Sequence, residues 1–376
     1  MLFLLLLVWS ILGDLRAERG ARGIPVGIFR IKPKLTADVS FTDNLLSSKD
    51  KVADTVITLK PVLQAVTHWR KYTVDLTFKS EVGRHGTREM EDYIDHSTKL
   101  KVAVAPTKNL SLEAQASYSS KHSSRGAADN LGAATSEPPE QYNLYKVSGK
   151  AQYTKQRYRG VVELGHNVDA KTGTGRYWND LSVSLMYALS PKTSFYLQGV
   201  AERHVYDDAT LLRDNMEYGG AVGVEWEATA KTTGNVKAGW TQKTYADAAD
   251  KDVAGFATEA DIKWSPSSRT RFTLSAGRSL EEGGNTDDYY TATKTQLEVQ
   301  HSLRSFLSLN AQLGYDNNVY GNGRDDVTWT GSAGFDYQFP KWASLGGRYS
   351  YSDIASNAAD SSYDSNVFML TLEGGL

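Results

Sequence analysis

The stretch that decides the fold is residues 55–82, TVITLKPVLQAVTHWRKYTVDLTFKSEV. From Ile57 to Ala65 the odd positions are apolar and the even positions are mostly polar. After residues 67–70 the phase changes, so that the even positions from Tyr72 to Val82 are apolar. Strict alternation indicates a strand with a different environment on each face, and the phase change lets both strands of an antiparallel hairpin place their apolar rows on one side. The stretch therefore predicts a β-hairpin with one apolar face.

The rest of the chain repeats this hairpin. Short connections, such as residues 190–193 and 265–269, alternate with long polar ones, such as residues 168–178. The longest connection, residues 119–141, is rich in Gly, Ala, Ser and Pro and can bury little apolar surface. Because the same unit recurs along the whole sequence, we expect one repeated architecture built from hairpins.

The composition agrees with such a chain. The 376 residues include 32 Gly and 21 Tyr but only 9 Pro, which favours strands and turns over helices. The mean hydropathy of −0.44 does not exclude a membrane, because a transmembrane barrel shows lipid only every second residue. A net charge of −2 and the lack of a basic cluster with aromatics argue against a nucleic-acid partner. Zero cysteines exclude disulfides and thiolate metal sites.

Short turns at one side, long loops at the other and one apolar face throughout are typical of an outer-membrane barrel. The sequence therefore predicts an all-β, transmembrane, antiparallel up-and-down β-barrel of about 18 strands. With an even number of strands both termini lie beside the short turns, which predicts periplasmic termini in the bacterial outer membrane. The alternative is a soluble all-β fold, but a propeller would need a motif in each four-stranded blade, and the sequence has no such period.

The N-terminus carries an apolar run, Leu2 to Leu12, that is too short to cross a bilayer as a helix. Its length is typical of a secretion signal, and we predict a signal peptide over residues 1–17. A buried N-terminal helix is the alternative. We expect residues 18–26 to form a short periplasmic segment and residues 27–376 to form the single barrel.

Motifs of enzymes are missing. The sequence contains no HExxH, GxSxG or GxxxxGK[ST], and its 7 histidines lie in separate hairpins. His85 beside Arg84 and Arg88 imitates a catalytic group at a barrel rim, but we interpret this segment as a solvated loop. The sequence thus predicts neither an enzyme nor a cofactor or metal site.

The face opposite the apolar rows carries charges of both signs, and we expect it to line the lumen. The candidate lumen-lining residues are Arg30, Lys32, Lys34, Lys60, Asp75, Lys79, Lys99, Lys101, Glu113, Lys146, Lys150, Arg159 and Arg348. Basic residues dominate in the first four strands. Two interpretations remain: the charges pair with one another and hold the wall, or one sector attracts anionic sugar chains.

Three segments carry a family resemblance: residues 41–45 (FTDNL), residues 54–61 (DTVITLKP) and residues 93–96 (YIDH). They resemble the putative beta-barrel porin 2 family, outer-membrane barrels that often accompany exopolysaccharide synthesis and export loci in Gram-negative bacteria. The resemblance implies a role in moving or anchoring a secreted polysaccharide. It also implies a periplasmic polysaccharide export protein and a polysaccharide chain as partners, besides outer-membrane lipid and lipopolysaccharide.

Three functions follow from this reading of the sequence. The first is a channel that takes part in polysaccharide export. The second is a porin for general solute diffusion. The third is a non-conducting structural or surface-attachment barrel whose long loops carry the function.

Overall fold

The structure is a computed structural model that describes residues 23–67, 69, 71–125, 137–172, 175–229, 231–246, 252–283, 289–340 and 342–376. The predicted signal peptide, residues 1–17, lies outside the described residues. The strands are β1 (Ile24–Val26), β2 (Phe29–Thr42), β3 (Asp54–Thr67), β4 (Tyr72–His85), β5 (Tyr93–Val104), β6 (Leu110–His122), β7 (Gln141–Lys155), β8 (Tyr158–Ala170), β9 (Arg176–Ser190), β10 (Thr193–Tyr206), β11 (Asn215–Thr229), β12 (Thr232–Tyr245), β13 (Val253–Ser267), β14 (Thr270–Glu282), β15 (Tyr289–Arg304), β16 (Leu307–Tyr320), β17 (Asp325–Gln338), β18 (Ala343–Ser356) and β19 (Tyr363–Gly375).

Strands β2 to β19 form a closed barrel. Each strand pairs antiparallel with the next one along the chain, and β19 returns to pair with β2 from Val367↔Thr42 to Gly375↔Lys34. The result is an 18-stranded up-and-down barrel, which confirms the predicted fold class. The short β1, inside the segment predicted as residues 18–26, pairs with β2 where β2 extends beyond its contact with β19.

The hairpin of residues 55–82 has the predicted register. Leu63 lies opposite Phe78, and both are exposed, at 48% and 41%. On the other face Gln64 lies opposite Thr77. The apolar rows of β3 and β4 therefore share one side of the sheet, as the phase change requires.

Burial in the barrel is inverted relative to a soluble protein. Leu313 is 64% exposed and Val222 is 60% exposed, whereas Lys243 is 1% exposed and His204 is 3% exposed. Large apolar side chains cover the outer surface along most strands. This arrangement stabilises a barrel whose outer surface faces hydrocarbon, because backbone groups are satisfied between strands and apolar side chains meet lipid.

The described part of the chain contains two short 3₁₀ helices, Glu89–Glu91 and Ala209–Leu211, and no helix long and apolar enough to cross a membrane. The two ends of the barrel differ. One carries short connections, such as residues 191–192 between β9 and β10; we name it the short-turn end. The other, named the long-loop end, carries connections such as residues 43–53 and 207–214. The start of β2 and the end of β19 both lie at the short-turn end.

Aromatic pairs flank the apolar band at both ends. At the short-turn end Trp264 stacks on Phe272 with ring centroids 5.1 Å apart. Toward the long-loop end Tyr118 lies 5.1 Å from Tyr145, and both rings are exposed on the outer face. Aromatic rings favour membrane interfaces, so these pairs mark where the apolar band meets water.

Candidate functional site: the polar inner wall

Contacts between strands that are not neighbours identify the inner face. Arg159 of β8 donates to both carboxylate oxygens of Glu225 of β11 at 3.0 Å, across β9 and β10. Tyr206 of β10 donates to Glu282 of β14 at 2.6 Å. Side chains from separated strands can meet only on the concave side of a closed sheet. The polar face is therefore the inner wall, and the apolar face is the outer surface.

The register places all thirteen candidate residues on this inner wall. Thr36 of β2 lies opposite Lys60, and Asp75 of β4 lies opposite Lys101. The same alternation continues through Glu113↔Lys150 into the later strands. Whether this wall encloses an open aqueous lumen is part of the proposal below.

Five of the eleven predicted cations are held in ion pairs between described residues. Lys34 contacts Glu373 at 2.6 Å, Lys60 contacts Asp38 at 3.3 Å and Glu81 at 3.5 Å, and Lys101 contacts Glu113 at 2.8 Å. Lys150 contacts Glu163 at 2.5 Å, in addition to the pair between Arg159 and Glu225. Asp75 accepts hydrogen bonds from Gln64 at 2.7 Å and Thr77 at 3.0 Å. At these positions the charges connect strands of the barrel, and the pair between Arg159 and Glu225 connects strands that are not neighbours.

A second group of cations has no such partner. Lys79, Lys99 and Lys146 make no ion pair with any carboxylate among the described residues, and all three side chains are exposed on the inner wall. Lys99 and Lys146 flank Ser117 in one row across β5, β6 and β7. Lys79 lies opposite Ser97, two residues from Lys99. We call Lys79, Lys99 and Lys146 the basic patch.

The basic patch is exposed on the inner wall rather than enclosed in a pocket. The Lys146 ammonium lies 5.6 Å from the ring of Trp178, a cation–π distance. Carboxylates near the patch contact other groups: Glu81 accepts from Tyr93 at 2.7 Å, and Asp95 contacts His122 at 3.0 Å. The patch therefore presents three lysine side chains, without an ion-pair partner among the described residues, to the inside of the barrel.

The other candidate residues are spread around the wall. Lys32 lies opposite Gln64 near the short-turn end, and Arg348 lies between Gly334 and Met369. Neither joins the basic patch. The basic patch itself lies on β4, β5 and β7.

Sequence reasoning missed a buried charge cluster at the long-loop end. Glu282 lies beside the buried Lys243, accepts hydrogen bonds from Tyr206 and Asn215, and lies 3.4 Å from Arg176. Lys243 also contacts Glu217 at 3.4 Å. We call this group the Glu282 cluster. It joins β9, β10, β11, β12 and β14 across the inner wall.

Alternation could not reveal Glu282. The inward residues of β14 have odd numbers, so Glu282 is expected to point outward. The pairing of β14 with β13 ends at Arg278, and beyond it only β15 holds the strand. The last residues of β14 are therefore paired on one side only, and alternation does not predict that the Glu282 side chain turns toward Lys243.

Loops at the long-loop end are connected by an ion pair and a hydrogen bond. Arg125, after β6, pairs with Glu91 of the β4–β5 connection at 2.8 Å, and Glu91 is only 4% exposed. The Ser47 hydroxyl of the β2–β3 connection donates to the backbone oxygen of Arg125 at 3.4 Å. Three consecutive loops thus pack on one another at one side of the mouth.

Charged groups also fasten the junction of β2 and β19. Asp43 accepts from the backbone and side chain of Asn366 at 2.7 and 2.8 Å, and Lys51 contacts Asp43 at 3.0 Å and Asp364 at 2.5 Å. Burial raises the pKa of Asp43, but the hydrogen bonds from Asn366 and Lys51 outweigh it and lower the pKa below its usual value. The same partners raise the pKa of Lys51.

Comparison with known proteins identifies the family. The family model for putative beta-barrel porin 2 matches residues 17–374, nearly the whole chain. No curated protein matches the sequence. Among solved structures, the outer membrane protein opdK from Pseudomonas aeruginosa is 10% identical with a TM-score of 0.52, covering 92% of this chain and 99% of its own. A BenF-like porin from Pseudomonas fluorescens Pf-5 is 9% identical with a TM-score of 0.53, covering 92% and 99%.

At this level of identity the two structures show the fold alone, and the family model carries the assignment. The resemblance of residues 41–45, 54–61 and 93–96 is confirmed by a match that extends far beyond them. Porins are channels rather than enzymes, and their barrels lie in the outer membrane. The chain belongs to the putative beta-barrel porin 2 family.

Proposed function

We propose that the chain forms a water-filled channel that takes part in the export of a secreted polysaccharide and favours anionic glycans. The observation that carries the proposal is the basic patch. Its three exposed lysines face the inside of the barrel without a carboxylate partner among the described residues. Barrels of 16 to 18 strands are wide enough for an aqueous lumen, and a positive sector in such a lumen attracts polyanions.

The arrangement suits a polymer in motion. The patch is solvated and spread over β4–β7 rather than gathered in a closed pocket, so it raises the local concentration of an anionic chain without holding it tightly. Hydroxyl groups of Ser97, Ser117 and Ser148 lie between the lysines and present donors and acceptors to sugar hydroxyls. The direction of transport, export rather than uptake, is inferred from the family resemblance.

Passage of small anions is the second candidate. One of the similar structures is OpdK with vanillate, 9% identical to this chain with a TM-score of 0.50. The same positive sector would attract a small carboxylate as well as a glycan. The third function, a non-conducting barrel, gains support from the interlocked loops around Glu91 and Arg125.

Secretion by living cells tests the proposal. In a strain that lacks the chain, we expect the secreted polysaccharide to fall in the medium and to accumulate in the periplasm. The wild type should restore secretion fully, and a variant with Lys79→Gln, Lys99→Gln and Lys146→Gln should restore it only in part. If the strain that lacks the chain secretes as much polysaccharide as the wild type but takes up small anions more slowly, export is wrong and solute diffusion is favoured. Unchanged secretion and uptake would favour the structural barrel.

A further inference from the structure

A recess of about 300 Å³ lies in the inner wall between β7 and β12, in the half near the short-turn end. The pair between Arg159 and Glu225 bounds it and spans the two strands beneath. Met186 and Tyr196 lie below this pair, and the Arg159 Nε donates to the Met186 sulfur at 2.8 Å. The volume is at the lower end of the range for small-molecule sites in proteins.

The floor of the recess is preformed. Tyr196 is 7% exposed and donates its hydroxyl to Asn235 at 2.7 Å. Its ring lies over Gly223, where an added Cβ would come within 2.2 Å of a ring carbon. Glycine at position 223 therefore lets the tyrosine ring lie against the wall. A ligand that enters the recess does not have to order this side chain, which lowers the entropic cost of binding.

The charges around the recess balance. Lys150 pairs with Glu163 at 2.5 Å, Arg159 with Glu225 at 3.0 Å, and Lys237 with Glu259 at 2.7 Å. Each cation that lines the recess thus has a carboxylate partner. In contrast to the basic patch, the recess offers no net charge that would select a free anion or cation.

Uncharged polar groups face the recess without partners. The amide of Gln152 and the hydroxyl of Ser184 have no hydrogen bond to any part of the chain that the structure describes. The Gln198 amide donates to Ser182 at 3.1 Å, while its oxygen accepts from Lys237 at 3.4 Å. Free amides and hydroxyls both donate and accept, and the paired carboxylates keep spare lone pairs. A neutral ligand with many hydroxyl groups matches this mixture.

We infer that the recess binds one neutral sugar unit of the glycan as it passes the inner wall. The inference rests on the proposed function. Lys146 and Lys150 lie four residues apart on β7, about 13 Å along the strand, so the recess follows the basic patch along one strand. The two surfaces select different chemistry: the patch attracts acidic units, and the recess binds neutral ones through hydroxyl contacts.

To test the inference, ion current through the full chain in a planar bilayer is recorded while maltohexaose, a neutral oligosaccharide, is added. A bound sugar interrupts the current. We expect interruptions whose frequency rises with sugar concentration. Gln152→Ala and Ser184→Ala should each weaken binding by about threefold to tenfold, the loss of one hydrogen bond. Gln312→Ala is the matched control, because Gln312 is an inward amide on β16 outside the recess. An oligogalacturonate should instead respond to neutralisation of Lys79, Lys99 and Lys146.

Calorimetric titration of maltohexaose into the detergent-solubilised barrel separates this inference from the proposed function. If maltohexaose binds and Gln152→Ala weakens that binding, the inference about the recess is supported even when the barrel does not conduct. A barrel that does not conduct contradicts only the proposed channel. An open channel that maltohexaose neither binds nor interrupts would overturn the recess and leave the channel intact. Equal binding by the wild type, Gln152→Ala and Gln312→Ala would also overturn it.

Discussion

At the scale of single residues, the side of the wall decides what a substitution costs. Leu185 is 55% exposed on the outer surface, whereas Lys79 is exposed on the inner wall. Leu185→Arg should lower the free energy of unfolding by about 2–4 kcal/mol, because a charge near the bilayer midplane is poorly solvated. Lys79→Ala should change it little. Denaturant titrations of the barrel in lipid vesicles, followed by tryptophan fluorescence, measure both; equal losses would mean that the two faces are wrongly assigned.

The Glu282 cluster gives a second test at this scale. Glu282→Gln removes the negative charge beside Lys243, which is only 1% exposed, and leaves that ammonium with Glu217 alone. We expect a loss of about 3 kcal/mol in the free energy of unfolding, because a buried charge that loses its partner is costly. Glu281→Gln is the control, since Glu281 accepts from Ser279 and lies outside the cluster. A comparable loss in both variants would show that the cluster does not stabilise the barrel.

At the scale of strands, the junction between β2 and β19 is held by charged contacts near both ends of its backbone pairing. β19 pairs with β2 only from Thr42 to Lys34, whereas β3 covers β2 along its whole length. Asp43, Lys51 and Asn366 extend this shorter contact at the long-loop end. Lys34 and Glu373 do the same near the short-turn end. Charged contacts therefore supplement the backbone pairing at the place where the barrel closes.

The lowered pKa of Asp43 makes this closure dependent on pH. Because the folded-state pKa lies below the unfolded one, the stabilisation is present above the unfolded pKa and is lost as pH falls through the folded value. Asp43→Asn should therefore be less stable than the wild type at about pH 7, and the difference should shrink toward about pH 2. Thermal unfolding at both pH values checks this, with Asp50→Asn in the same loop as the control. A difference that stays constant with pH would contradict the role of the Asp43 charge.

The strands were predictable from alternation, but their long-range contacts were not. The hairpin predicted in residues 55–82 became β3 (Asp54–Thr67) and β4 (Tyr72–His85), and the predicted connection at residues 119–141 became shorter because β6 continues to His122. Period-two patterning gives the face of each residue on a strand. It does not give the register between separated strands, so the contact of Arg159 with Glu225 could not be foreseen. It fails at Glu282, where β14 no longer pairs with β13 and is held by β15 alone.

At the scale of the whole molecule, charge is distributed unevenly around the barrel. The chain has a net charge of −2, yet the inner wall from β4 to β7 carries the basic patch. The wall from β15 to β18 instead carries charges of both signs, with Lys294 opposite Asp316, and neutral residues such as Gln312 and Ser350 lie among them. Net charge alone therefore does not describe the field inside the barrel, because paired charges cancel locally and the unpaired lysines do not.

The reversal potential under a KCl gradient in planar bilayers tests the central claim, an open channel with a positive sector, most directly. We predict that the wild type conducts and prefers chloride, with a preference that weakens at high salt as screening shortens the range of the charges. Lys79→Gln with Lys99→Gln and Lys146→Gln should move selectivity toward potassium, while Lys49→Gln with Lys108→Gln and Lys192→Gln, the same charge change in loops and turns, should not. A closed barrel, a wild type that prefers potassium, or equal shifts in both triple variants would contradict the account.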